Sequence, residues 1–134
     1  MARLIFVNLA VRDIQATTTF FGKLGFEFNK RFTDANNACM IINETASVML
    51  LSTAFFQGFT KKKICDTSTQ SEALLAVSVD SRPEVDTFVD KALALGGTPA
   101  LPPQDHGFMY VRTFYDLDGH HWEVAWMDPA AFQA

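Results

Sequence analysis

The chain has 134 residues, is 49% apolar and carries a formal charge of -4. That length suits a single domain, residues 1–134, with a sizeable core, and the apolar content excludes a disordered chain. The negative charge argues against a nucleic-acid partner, because phosphates need a basic surface.

Leu4–Val11 reads as a buried strand. Asp13 is a plausible N-cap, and Ala16, Phe20, Phe21 and Leu24 then recur at helical spacing until Gly25. Phe26–Phe32 alternates aromatic and polar residues and reads as a second strand, followed by a turn over residues 34–37. Ala38–Ile42 and Ser47–Ser52 read as two strands joined at Asn43-Glu44-Thr45. The first half is thus β-α-β-β-β.

Thr53–Ser71 breaks the pattern. Phe55, Phe56 and Phe59 cluster ahead of Lys61-Lys62-Lys63, and a Thr/Ser stretch follows. A short helical turn and a mobile connection are expected, serving as a lid or as a plain linker. The three lysines read as a solvated face, with an anion site as the alternative. Cys39 and Cys65 form no CxxC pair and read as reduced thiols. The N-terminus lacks a cleavable signal pattern, and no apolar run approaches a membrane span, so a cytoplasmic location is expected.

The second half repeats the scheme. Ala73–Val79 is a strand, and Ser81 caps a helix with Pro83 in its first turn. That helix is expected to bury Val85, Phe88, Val89, Ala92 and Leu95 and to stop at Gly96-Gly97. Thr98–Leu101, Phe108–Tyr115 and His121–Met127 are strands, with a turn at Asp116–Gly119 and a short tail from Asp128-Pro129. Phe6–Lys23 and Leu74–Lys91 align without a gap at an offset of 68, so the repeat is also visible residue by residue.

Three segments carry a family resemblance: Phe6–Phe26 (FVNLAVRDIQATTTFFGKLGF), Leu74–Asp80 (LLAVSVD) and Asp116–Trp126 (DLDGHHWEVAW). Together they resemble the vicinal oxygen chelate superfamily of glyoxalases, fosfomycin- and bleomycin-resistance proteins and extradiol dioxygenases. The resemblance implies an α+β fold of two βαβββ modules whose strands curl into a mixed-sheet cup. Module 1 would span about residues 1–53 and module 2 about 72–134, with the connection at 54–71. Metal-dependent relatives place His, Glu or Gln ligands on four strands inside the cup.

Carried onto this chain, those four positions are Phe6, Met49, Leu74 and Glu123. Phe6 lies seven residues before Asp13, Leu74 is its repeat partner, and Glu123 lies in the last strand. Three of the four are apolar and unsuited to a divalent ion that prefers oxygen or nitrogen. No cofactor is therefore expected, and a divalent metal is disfavoured.

If these side chains face a cavity, strand alternation adds Asn8, Ser78 and His121. Glu123, walled by Phe, Met and Leu, is a candidate general base, because burial favours its protonated form. The expected ligand-binding set is Phe6, Asn8, Met49, Leu74, His121 and Glu123. His120 should fall on the opposite face, at the surface, and His106 in an exposed loop. Tyr110 and Arg112 share a face; were it inward, Arg112 would suit an anionic group, and otherwise it is a surface cation.

The expected function is metal-free binding of a small organic molecule, as in bleomycin-resistance proteins. The alternative is a lyase, isomerase or dioxygenase-type enzyme with a rearranged centre at Glu123. A third reading is a protein-binding module that uses the Phe55–Phe59 cluster. The family resemblance also implies a homodimer.

Overall fold

The computed structural model describes residues 2–132 and divides between Ile64 and Cys65 into two compact units. The first unit contains β1 (Ile5–Val11), α1 (Ile14–Lys23), β2 (Glu27–Phe28), β3 (Asn37–Ile41), β4 (Ala46–Ser52) and α2 (Thr53–Gln57). The second contains β5 (Leu74–Ser78), α3 (Arg82–Ala94), β6 (Thr98–Pro99), β7 (Gln104–Asp105), β8 (Met109–Tyr115) and β9 (His121–Met127). The fold is α+β, with one mixed sheet of four strands and one of five.

The two sheets have the same topology. Their strand orders are β1-β4-β3-β2 and β5-β9-β8-β6, with β7 added beside β8. In each, the first strand runs parallel to the last and the inner strands are antiparallel. The parallel pairs need a long crossover, and α1 and α3 belong to it.

Both helices start on a capping side chain. Asp13 accepts from the Ala16 amide and Ser81 from the Glu84 amide, each satisfying a backbone donor that has no intrahelical partner. Both are followed by a glycine at positive φ, 104° at Gly25 and 113° at Gly96. Those glycines are 71 residues apart, whereas Phe6 and Leu74 are 68 apart. The difference lies in the helices, which are 10 and 13 residues long.

In the first unit Thr17, Phe20 and Phe21 of α1 are buried. The sheet face that shares this core carries Leu9, Val11, Ala38, Met40, Val48 and Leu50, all nearly inaccessible. In the second, α3 buries Val85, Val89 and Ala92, and the sheet supplies Phe114, Trp122 and Val124. Phe88 and Leu95 are only half-buried, although Phe88 lies 6.1 Å from the Phe114 ring.

Two strands differ from expectation. Phe26–Phe32 is strand only at Glu27–Phe28, because the Asn29 side chain accepts from the Arg31 amide and turns the chain into a 3-10 turn over Lys30–Phe32. Thr98–Leu101 shortens to Thr98–Pro99. The loop beyond it instead forms β7, where Gln104 and Asp105 pair with Val111 and Tyr110. The Arg82 guanidinium pins β7 by bonding both Asp105 carboxylate oxygens and the Gly107 carbonyl. It also lies 5.4 and 5.1 Å from the ring centroids of Tyr110 and Trp126.

The connection is hydrogen-bonded within each unit. Gln57 donates to the carbonyls of Thr60 and Lys62. In the second unit the Thr67 hydroxyl donates to the Asp118 carbonyl.

Candidate functional site

Each sheet has a second face, opposite its long helix. In the first sheet the register aligns Phe6 with Ser47 and Ile41, Asn8 with Met49 and Cys39, and Ala10 with Leu51 and Asn37. In the second it aligns Leu74 with His121 and Tyr115, Ala76 with Glu123 and Thr113, and Ser78 with Ala125 and Val111. Phe6 is 53% exposed and Leu74 is 64% exposed, large values for apolar side chains.

The registers fix the position of the fourth-strand residue. Phe6 and Asn8 correspond to Leu74 and Ala76, so their partners correspond too: Ser47 to His121 and Met49 to Glu123. Pairing geometry thus singles out Met49 as the counterpart of Glu123. In the first sheet these positions carry a phenyl ring and a thioether, and in the second a hydrocarbon and a carboxylate. Among the described residues, no three His, Cys, Asp or Glu side chains are grouped to hold a metal.

A cavity of about 340 Å³ opens on the second face of the first sheet. Asn8 and Leu51 form its floor, and Phe56, Phe59 and Thr60 form its other wall. The Ser52 hydroxyl accepts from the Phe55 amide and starts α2, which brings these aromatics over β1 and β4. Phe55 and Phe59 meet edge to face at 5.2 Å. Asn8 donates to the Phe6 carbonyl at 3.3 Å, a long bond to a near neighbour. Its side-chain carbonyl is left for other donors.

On the second sheet, His121 and Glu123 share a face two residues apart. His121 is buried and packs edge to face on Tyr115 at 5.6 Å. Its Nε2 has no hydrogen-bond partner, and the Glu123 Oε1 atom lies 3.8 Å away. Tyr115 and Thr113 were not foreseen as neighbours of this pair. The signal was available: the turn at Asp116–Gly119 joins β8 to β9 in antiparallel register, which sets Tyr115 across from His121.

The other polar candidates are structural. His120 is buried rather than at the surface, with Nδ1 3.0 Å from the Glu72 Oε1 atom. Arg112 lies on the helix side, 3.0 Å from Asp86 and 2.8 Å from Asp90, while the Tyr110 hydroxyl donates to Asp86. These bonds turn both side chains toward α3. His106 is exposed, and Cys39 and Cys65 are free thiols.

The turn before β9 is organised by Asp116. One carboxylate oxygen accepts from the Asp118 and His120 amides, and the other from the Trp122 indole. Burial pushes the Asp116 carboxyl above its ordinary value, opposed by His120 and by these three donors. The Asp-x-Asp-Gly run therefore has a local structural cause: it folds the turn that aims His121 and Glu123.

Among the described residues no helix is long and apolar enough to cross a membrane. No curated protein matches the chain. Solved structures do share the fold. A hypothetical protein from S. aureus is 27% identical, with 93% of this chain and 94% of that one covered and a TM-score of 0.78. A glyoxalase-related enzyme from Fulvimarina pelagi is 19% identical, with coverage of 94% and 88% and a TM-score of 0.79. A fosfomycin resistance protein from Listeria monocytogenes is 20% identical, with coverage of 94% and 93% and a TM-score of 0.67. The family model described as Glyoxalase/Bleomycin resistance protein/Dioxygenase superfamily matches residues 3–124, which include all the paired strands apart from the last residues of β9. With its two matching β-α-β-β-β halves and this match, the chain belongs to the glyoxalase/bleomycin resistance protein/dioxygenase superfamily.

Proposed function

We propose that this protein binds a small, largely apolar organic molecule against the second face of a sheet, without a coordinated metal. The observation that carries the reading is the donor set at the four positions: Phe6, Met49 and Leu74 offer no oxygen or nitrogen, and Glu123 alone is a carboxylate. The cavity at Asn8, walled by Phe56 and Phe59, supports it, because small-molecule pockets are mostly apolar with a few placed polar groups. Asn8 supplies the polar group of that cavity, and His121 and Glu123 are the polar pair on the second face of the other sheet. By family analogy the protein works as a homodimer, and its mass in solution tests this.

Elemental analysis of purified protein, followed by a thermal-shift screen of uncharged organic compounds, tests the reading. No stoichiometric transition metal is expected, and hits are expected among apolar compounds. A ligand at 100 times its dissociation constant stabilises the fold by about 2.7 kcal/mol. A stoichiometric ion that is lost in Glu123→Ala would overturn it.

One observation favours a second reading, an enzyme with a rearranged centre. Glu123 is retained where its counterpart is Met49, and a buried imidazole with an unpartnered nitrogen sits beside it. Turnover of a bound compound that disappears in Glu123→Gln would establish that reading over simple binding.

A further inference from the structure

The His121 side chain is only 9% exposed, and its Nε2 atom has no hydrogen-bond partner. A buried polar atom left unpaired forfeits its bond to water without replacement, so such atoms are rare in folded proteins. The Glu123 carboxylate lies 3.8 Å from it, beyond hydrogen-bonding range. The Glu123 side chain is 32% exposed while Nε2 is closed off from solvent, so the gap between the two groups is reached by swinging the Glu123 side chain aside. Leu74 and Ala76 flank the pair on β5, and Tyr115 and Thr113 flank it on β8.

We propose that a polar group of the ligand enters this gap and bonds both side chains, and that it is a hydroxyl or an amino group. The inference rests on the binding reading above and specifies its ligand class. A carboxylate only accepts, so the incoming atom must donate to Glu123. An imidazole nitrogen either donates or accepts, so the same atom completes the Nε2 bond in either tautomer. A hydroxyl meets both conditions, and so does a neutral amine; a protonated amine has no lone pair and serves only where Nε2 is the acceptor. An ether, ketone or ester has no donor for Glu123, and an anionic group is repelled by it. The ligand is therefore an apolar body, suited to Leu74 and the Tyr115 ring, that carries an O–H or N–H and has no negative charge beside it.

The test titrates the full chain with 4-ethylphenol, 4-ethylanisole and 4-ethylbenzoate, following the ring-nitrogen resonances of His121. The phenol is expected to bind at least ~10-fold more tightly than the anisole, the size of one hydrogen bond to a charged group. It should also shift the His121 nitrogens, and the benzoate should bind weakest. His121→Phe and Glu123→Met should each bring the phenol-to-anisole ratio near one. Equal binding of phenol and anisole, or tighter benzoate, would overturn the donor requirement while leaving the binding reading intact; a resident water satisfying the pair would give that outcome. Silence from all three probes, with no hit in the wider apolar screen, would remove both.

Discussion

Met49 occupies in the first sheet the place that Glu123 occupies in the second, each paired across a parallel ladder with the corresponding residue of the opening strand, Asn8 or Ala76. Glu123 lies 3.8 Å from the His121 imidazole, beyond hydrogen-bonding range, and is about a third exposed. Its carboxylate is thus not needed for folding. Glu123→Met, which makes the second sheet resemble the first, should change stability by less than ~1 kcal/mol. Urea denaturation checks this, and a loss above ~2 kcal/mol would reveal a structural role.

Gly119 and Gly107 both adopt positive φ, 88° and 81°. A Cβ at Gly119 would overlap the Thr67 carbonyl oxygen of the connection, whereas one at Gly107 would meet nothing within 4 Å. Gly107→Ala should therefore cost only the backbone term, about 1–2 kcal/mol. Gly119→Ala should cost that plus displacement of the connection, ~3 kcal/mol or more. Equal losses in the two variants would show that the contact at Thr67 yields freely.

Burial raises the Asp116 carboxyl above its ordinary value of 3.8. A raised acid holds its proton longer in the folded state than in the unfolded one. Stability therefore falls as pH rises from about 3.8 through the native value, and is lower by a constant amount beyond it. Asp116→Asn should flatten that part of the stability-pH curve. It should also cost about 1–3 kcal/mol at pH 7, because an amide cannot accept from the Trp122 indole in the same orientation. An unchanged curve would mean that Asp116 does not titrate in that range.

The Arg82 bond holds the Asp105 carboxyl down at about 2, assisted by the Gly107 amide. A depressed acid contributes stability above its ordinary value of 3.8 and loses it as pH falls toward 2. Carboxyl-carbon NMR should show the low midpoint in the native protein. It should move up toward 3.8 in Arg82→Gln. A midpoint that stays near 2 would assign the effect to the backbone amide alone.

Phe59 is 71% exposed although it walls the cavity. Phe59→Ser should leave stability within ~0.5 kcal/mol of the parent, since little apolar surface is uncovered. It should weaken binding of any compound that fills the cavity at Asn8, measured by calorimetry. Unaltered affinity would exclude that cavity as the binding place.

The periodic parts of the fold were legible in the sequence. His121–Met127 was bounded correctly because a Gly turn precedes it and Asp-Pro follows it. Asp13 and Ser81 were recognised as caps from residue type and the apolar periodicity that follows. What failed was set by single side chains acting across the chain. Asn29 ended β2 early, and Arg82 brought Gln104 and Asp105 into pairing from 22 residues upstream. The site was half legible. Alternation gave the facing residues, including His121 with Glu123, but not what covers them. His120 was expected in solvent but is buried, with Glu72 3.0 Å from its Nδ1, a long-range approach that strand alternation does not encode.

The two halves keep different distances along the chain: 68 residues at Phe6 and Leu74, 71 at Gly25 and Gly96, 74 at Met49 and Glu123. Descent from a duplicated ancestral segment accounts for this as two indels of three residues, one lengthening the second helix by nearly a turn and one falling before β8, near the added strand β7. Both fall outside the paired ladders, where a shift of one residue would turn every side chain to the wrong face. The halves therefore differ in length where no ladder constrains them, and in the residue at the shared position, Met49 against Glu123, while the pairing frame that sets their orientation is the same in both.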